Sequence, residues 1–133
     1  MTTMTSAGSR HAATYTRIGL ETRVNGASAT ALISLLLEGA LADLKRASLY
    51  FAQGDVARRG AAITHAIRIL QDGLIAALDE RQGGVARQLR QTYDLAVYWL
   101  LNCTTRRDPL MLERARTVLE GVRDAWAQAT ARQ

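Results

Sequence analysis

The sequence feature that most constrains the fold is a pair of helical repeats between Ala61 and Cys103, separated by Gly83-Gly84. In each repeat, mostly apolar residues recur at steps of three and four, which places them on one side of a helix. They are Ile63, Ile67, Leu70, Leu74 and Leu78 before the glycines, and Val85, Leu89, Thr92, Ala96, Trp99, Leu100 and Cys103 after them. Because the two glycines can end one helix and let the next fold back, the pattern predicts an antiparallel hairpin that needs further cover.

A third periodic run precedes this hairpin and can supply part of the cover. A serine or threonine can cap a helix predicted over Ala29–Gln53, which stops at Gly54. Its main apolar stripe consists of Ile33, Leu36, Leu37, Ala40, Leu44, Ala47 and Phe51. Asp55 then caps the helix of the first repeat, which is predicted to end near Leu78-Asp79.

The last helix has the clearest start signal, because Asp108-Pro109 combines an N-cap carboxylate with proline at the first helical position. Its stripe is Met111, Ala115, Val118, Leu119, Val122 and Trp126, and the pattern dissolves from Ala129 onward. Four long helices with short breaks predict an all-α fold, an antiparallel four-helix bundle. A short extra N-terminal helix is predicted over Tyr15–Val24. The domains are then a flexible tail (1–14), the bundle (15–128) and a second flexible tail (129–133).

Composition narrows the classes of function. The formal charge of +5 comes from 17 basic and 12 acidic residues, but the arginines are scattered and form no stripe of the kind that binds nucleic acid. Cys103 is the single cysteine, which favours a reducing compartment. Residues 1–9 do not resemble a signal peptide, and the densest apolar run, Leu95–Leu101, is too short to span a bilayer. We therefore expect a cytoplasmic protein with neither nucleic-acid binding nor membrane insertion.

Side chains that could carry chemistry are sparse. The two histidines are His11, in the predicted tail, and His65, which falls on the polar side of its helix. No Glu-x-x-His pattern is present, so we expect no metal, no cofactor and no catalytic residue. A phosphotransfer domain, which would display His65 to solvent, is a remote alternative, because bulky Ile69 stands where such domains need a glycine. A surface histidine on an ordinary helix is the preferred interpretation.

Several helices carry a second apolar face beside the core stripe. These flanking residues are Leu32, Leu35, Gly39 and Tyr50 on the Ala29–Gln53 helix, and Ala62, Ala66, Ile69, Gly73 and Ala76 on the next one. Small residues on the latter predict a shallow groove into which another helix can settle. The helix after Gly84 is apolar nearly all round in its second half, where Leu95, Val97, Tyr98 and Leu101 join the core line. Burial in a larger bundle or a homodimer and capture of an amphipathic partner helix both explain these faces.

The order of short motifs resembles the flagellin export chaperone family. Leu36-Leu37-Glu38-Gly39-Ala40 is similar to the family's Leu-Tyr-Asp/Glu-Gly-Ala motif. Further matches are Gly54-Asp55, Leu78-Asp79, Gly83-Gly84-Val85-Ala86-Arg87-Gln88-Leu89, Tyr93-Asp94, Asp108 and Trp126. The resemblance covers the chain from about Tyr15 to Trp126. It departs from the family pattern at Leu37, Thr92 and Cys103-Thr104, which changes a few contact surfaces.

The resemblance implies a protein that is not an enzyme. It would bind the C-terminal segment of flagellin, prevent premature polymerisation, and deliver flagellin to a component of the export gate of the flagellar type III secretion apparatus. Candidate flagellin contacts are Leu32, Leu35, Gly39, Tyr50, Ala62, Ala66, Ile69, Gly73 and Tyr93. Tyr15 and Ile18 lie where the family's N-terminal segment covers part of the groove as a lid. The rival interpretation is a structural bundle that uses its apolar face to self-associate.

Overall fold

The protein is described here by a computed structural model that covers residues 28–79, 81 and 83–131. The described residues form helices α1 (Ala29–Gln53), α2 (Val56–Arg68), α3 (Gly84–Arg106) and α4 (Pro109–Ala131), and α2 continues as a π-helical segment, Ile69–Ile75. The prediction of an all-α, four-helix bundle is confirmed. The predicted short helix at Tyr15–Val24, the predicted tail of residues 1–14, and both lid residues lie outside the described residues.

Local capping explains where the helices begin and end. The side-chain oxygens of Ser28 and Asp55 each accept a hydrogen bond of 3.1 Å from the backbone N–H three residues on, at the starts of α1 and α2. Asp108 Oδ1 accepts one of 2.9 Å at the start of α4. Gly54 and Gly83 have φ angles of 70° and 105°, which side chains rarely allow, and they separate the helices there. The predicted starts and breaks at these positions are confirmed.

Two helix ends differ from the prediction. Regular α-helical bonding in α2 stops at Arg68, and the π-helical segment Ile69–Ile75 follows, so a helix running to Leu78-Asp79 is wrong. Side-chain spacing did not reveal the change, because steps of four residues keep side chains close to one face in both kinds of helix. Helix α4 continues to Ala131, beyond its predicted end near Ala129. It extends further because its last residues are mostly good helix formers.

The contacts between helices show that α1 runs antiparallel to α2 and to α4. Leu36 of α1 lies against Gly73 of the π-helical segment. Further along α1, Asp43 bonds to His65, which comes before Gly73 in the sequence. The first turn of α1 contacts the last turns of α4, where Trp126 Nε1 donates a hydrogen bond of 3.3 Å to the Thr30 carbonyl. Helix α3 packs against α4 and the π-helical segment.

The core lies along the axis of the bundle and takes side chains from all four helices. Its largest fully buried members are Leu36, Leu37, Leu44, Ile63, Ile69, Leu70, Leu74, Leu100, Leu112 and Leu119. The predicted core lines are largely confirmed, but Val85 is 71% exposed. It lies in the first turn of α3, at the end of the bundle, where none of the four described helices covers it.

Candidate functional site: an apolar end groove

An open apolar groove lies at the end of the bundle where α1 begins and α4 finishes. We call it the end groove; its volume is about 710 Å³, within the usual range for binding pockets. It is bounded by the end of the π-helical segment, the first half of α3 and the second half of α4. Ile33 of α1 closes one side, and Val85 and Leu89 of α3 lie on another.

The floor of the end groove is formed by two buried side chains, Leu74 and Tyr93. Burial raises the pKa of Tyr93 to about 12, so its phenol stays neutral at physiological pH. None of the described residues that line the groove is charged. The surface therefore suits apolar side chains of an occupant and offers nothing that would hold a charged group.

The α4 wall owes its concave shape to small residues. Thr117, Gly121, Ala125 and Ala129 recur at steps of four and share one strip of the helix that lines the groove. Beside them, Val118, Val122 and Trp126 supply the bulk. Sequence reasoning assigned the bulky residues to the core and missed the strip of small ones. Its four-residue spacing was the signal that could have located the groove.

The hydrogen bond between Trp126 and the Thr30 carbonyl fixes the start of α1 at the rim of the end groove. Ile33 and Trp126 both line the groove, and Ser28 caps α1 just before them. Residues 1–27 therefore join the described structure at this rim. The candidate lid residues Tyr15 and Ile18 belong to that segment.

The candidate contacts on α1 lie away from the end groove. Leu32, Leu35, Gly39 and Tyr50 are all half-buried, and Leu32 and Tyr50 also pack against the core. None of the four is among the residues lining the end groove. They form an accessible edge of α1 that a long, wrapping partner can reach.

The candidate contacts on α2 and the π-helical segment need correction. Ala62, Ala66, Ile69 and Gly73 are buried, so a partner cannot reach them while the described helices keep this packing, and their role as flagellin contacts stays a prediction. The small residues do make a groove, but α1 fills it: a Cβ atom at Gly73 would lie only 3.0 Å from Leu36 Cδ2. Tyr93 is also buried, with 3% exposure, although it forms part of the end-groove floor.

His65 also differs from its predicted setting. Its side chain is 35% exposed, and its Nδ1 atom lies 2.6 Å from a carboxylate oxygen of Asp43 on α1. Asp43 is itself buried, with 2% exposure, and also pairs with Arg46. The interpretation of His65 as an ordinary surface histidine is therefore wrong, since it bonds to a buried carboxylate between two helices.

The remaining reactive side chains give no sign of catalytic chemistry. Cys103 is buried, and burial raises the pKa of its thiol, which favours the unreactive protonated form. Within residues 28–79 and 83–131, no group of histidine, cysteine and carboxylate side chains is arranged to hold a metal ion. None of the described helices is long and apolar enough to cross a membrane.

The fold and the groove together are those of a small helical bundle with an open apolar groove, a shape that suits an apolar segment of another protein. Comparison with known proteins identifies the family. The sequence model described as flagellar protein FliS matches residues 11–133. The chain belongs to the FliS family of flagellar secretion chaperones, as the motifs indicated.

Individual relatives agree with the family model. The chain is 37% identical over 115 residues to the flagellar secretion chaperone FliS of Salmonella typhimurium, which covers 86% of this chain and 85% of that one. It is 31% identical over 116 residues to the FliS of Escherichia coli, covering 86% and 85% of the two chains. It is 30% identical over 113 residues to FliSB of Pseudomonas aeruginosa, covering 84% and 89%. Because the family is one of chaperones, the prediction that the chain is not an enzyme is confirmed.

Proposed function

We propose that this chain is the cytoplasmic chaperone of flagellin. It holds the C-terminal segment of flagellin in the end groove, prevents premature polymerisation, and delivers the segment to the export gate of the flagellar type III secretion apparatus. The observation that carries this proposal is the uncharged apolar groove of about 710 Å³ in a member of a secretion chaperone family. An amphipathic segment gains affinity by placing its apolar side chains in such a groove.

The dimensions of the groove favour a helical or extended segment over a compact domain. Two antiparallel helices, α3 and α4, form its walls. The buried side chains of Leu74 and Tyr93 form its floor. A segment lying between these walls has its apolar face covered. It is then not available for the coiled contacts that flagellin subunits make in a filament.

The half-buried edge of α1 supports a second part of the proposal. A segment that leaves the end groove can continue along Leu32, Leu35, Gly39 and Tyr50, which are accessible on α1. Tyr15 and Ile18 are proposed to compete for the end groove, because residues 1–27 join α1 at its rim. The buried residues of α2 contribute by positioning α1, not by direct contact.

Two exposed alanines of α4 provide a matched test of the groove. Ala125 lines it, whereas Ala127, two residues on, does not. Ala125→Glu places a charge in an apolar site and should weaken binding of the flagellin C-terminal segment by roughly tenfold or more. Ala127→Glu should leave it unchanged. Calorimetric titration of the full chain measures both affinities, and circular dichroism checks that both variants are folded.

The outcomes separate this proposal from a structural bundle that only self-associates. Equal affinities for the two variants would place the flagellin site elsewhere on the bundle. Sedimentation of the chain with and without the segment measures how much of the chain is homodimer. A homodimer that persists unchanged when excess segment is added, with no heat of binding, would contradict the proposal.

A further inference from the structure

The floor of the end groove carries a polar group that the described part of the chain leaves without a partner, the hydroxyl of Tyr93. This side chain is buried, with 3% exposure, and lines the groove. Within the described residues, nothing forms a hydrogen bond with its oxygen. Burial alone raises the pKa of Tyr93, without a contribution from any hydrogen bond. Such a hydroxyl is uncommon, since most buried polar atoms have a partner.

The oxygen of this hydroxyl faces the space of the groove. Among the described side chains, every nitrogen or oxygen atom that is closed off from solvent has a hydrogen-bond partner. The hydroxyl oxygen of Tyr93 has none, so it belongs to the atoms that solvent still reaches. Because the ring is covered and the residue forms part of the groove floor, this accessible part of the side chain opens into the groove.

The other polar side chains of the described lining already have partners. Thr117 Oγ1 donates a hydrogen bond of 2.9 Å to the Glu113 carbonyl in its own helix. Trp126 Nε1 donates one of 3.3 Å to the Thr30 carbonyl. The remaining side chains of the described lining are apolar. The hydroxyl of Tyr93 is therefore the side-chain polar group of this lining that stays available to an occupant.

An occupant of the groove has to satisfy this hydroxyl in place of solvent. A segment that enters the groove displaces water from the floor, and a methyl group placed against the hydroxyl would leave it unbonded and lower the affinity. A carbonyl oxygen placed there would accept its proton instead, because a neutral phenol is a hydrogen-bond donor. The floor therefore favours a segment that brings a carbonyl oxygen to this point among its apolar side chains.

We propose that the Tyr93 hydroxyl donates a hydrogen bond to a carbonyl oxygen of the flagellin segment in the end groove. Apolar contacts are non-directional, so this bond fixes where along the groove the segment lies. The carbonyl belongs either to the backbone at a helix end, where the last carbonyls lack partners within the helix, or to an asparagine or glutamine side chain. The proposal rests on the proposed function and adds a specificity-determining residue to it.

Tyr93→Phe tests the proposal, because it removes the hydroxyl and keeps the ring. The hydroxyl has no partner within the described chain, so the variant should keep the urea midpoint of the unsubstituted chain. Its affinity for the flagellin C-terminal segment should fall by roughly three- to tenfold. Tyr98→Phe is the matched control on the same helix, since Tyr98 is 57% exposed and does not line the groove. It should change neither the affinity, measured by calorimetric titration, nor the urea midpoint.

Substitutions in the flagellin segment identify the carbonyl. Each asparagine and glutamine of the segment is replaced by alanine and titrated against the unsubstituted chain and against the Tyr93→Phe variant. If a side-chain amide accepts the bond, one replacement weakens binding to the unsubstituted chain as much as Tyr93→Phe does and has no further effect on the variant. If a backbone carbonyl accepts it, Tyr93→Phe weakens binding by the same factor with every form of the segment.

An unchanged or higher affinity of the Tyr93→Phe variant would overturn the proposal. So would a lower urea midpoint that accompanies the loss of affinity, because the hydroxyl would then support the fold. The variant Ala125→Glu tells this failure from that of the proposed function. If Ala125→Glu weakens binding and Tyr93→Phe does not, flagellin occupies the groove without using the hydroxyl. If neither variant weakens binding, the flagellin site lies elsewhere and both proposals fail.

Discussion

At the scale of single residues, Asp43 fixes how α1 lies against α2. A buried carboxylate is costly unless it is bonded, and Asp43 is satisfied by His65 of α2 and by Arg46 of its own helix. Apolar contact is non-directional, whereas the bond of 2.6 Å between Asp43 and His65 requires a particular alignment of the two side chains. Asp43 therefore aligns the two helices that position the π-helical segment.

This role predicts that His65→Ala destabilises the bundle. The substitution leaves the buried carboxylate with one bond fewer, and we expect the free energy of unfolding to fall by about 1–3 kcal/mol. Thr64→Ala is the control, because Thr64 is exposed on the same helix and should change stability by no more than about 0.5 kcal/mol. Urea denaturation measures both values. Equal stabilities of the two variants would show that the bond to Asp43 contributes little.

At the scale of elements, the π-helical segment Ile69–Ile75 joins the core to the end groove. Its Gly73 lets the backbone approach Leu36 of α1 closely, and the next residue, Leu74, forms part of the groove floor. π-Helical turns inside α-helices occur frequently at functional sites. Here the segment sets the depth of the groove floor relative to α1.

Gly60 of α2 and Gly73 of the π-helical segment that continues it give opposite predictions for stability. Gly73→Ala would place its Cβ atom 3.0 Å from Leu36 Cδ2, so we expect a loss of about 1–3 kcal/mol in unfolding free energy from overpacking. Gly60→Ala in α2 meets no atom within 4 Å and should gain about 0.5–1 kcal/mol, because alanine favours the helix. Thermal unfolding of both variants measures the difference. A stabilising Gly73→Ala would mean that the segment relaxes without cost.

The helices could be predicted from the sequence far better than their exposed faces. Ser28, Asp55 and Asp108 act on their own first turns, and Gly54 and Gly83 act on single backbone positions, so these signals are local. Which side of α2 is covered depends on residues about 30 positions away on α1. A strip of small residues such as Ala62 and Ala66 has the same pattern whether α1 or a partner fills it.

The end groove was missed for the same physical reason. On α4, the strip Thr117, Gly121 and Ala125 lies beside a strong apolar stripe, and the stripe alone accounts for a core helix. Only the positions of α3 and of the π-helical segment show that part of this stripe stays uncovered. The family motifs predicted the class of function without locating this surface.

At the scale of the whole molecule, the end groove and the start of α1 lie at the same end of the bundle. Trp126 belongs to the groove and also bonds to Thr30, in the first turn of α1. Residues 1–27 are joined to the bundle at this point by the chain itself. If Tyr15 and Ile18 contact the groove, as we propose, the covalent link gives them a high effective concentration there. Weak contacts would then be enough to compete with flagellin.

This arrangement predicts the effect of removing the N-terminal segment. If Tyr15 and Ile18 cover the groove, flagellin binds only the uncovered fraction of molecules, and its apparent affinity is reduced by that fraction. Deleting residues through Val24 should therefore tighten or speed binding of the flagellin C-terminal segment. It should also raise self-association by leaving apolar surface bare. Tyr15→Ala should act in the same direction but more weakly.

A shorter deletion gives the control for this experiment. Removing residues 2–14 keeps Tyr15 and Ile18 and should leave the affinity of the full chain unchanged, whereas the longer deletion should not. Calorimetry measures the affinity, stopped-flow fluorescence the association rate, and sedimentation the self-association. If the longer deletion abolishes binding while circular dichroism shows an intact bundle, Tyr15 or Ile18 contacts flagellin directly. The segment would then be part of the binding site, because competition predicts a gain in affinity when the competitor is removed.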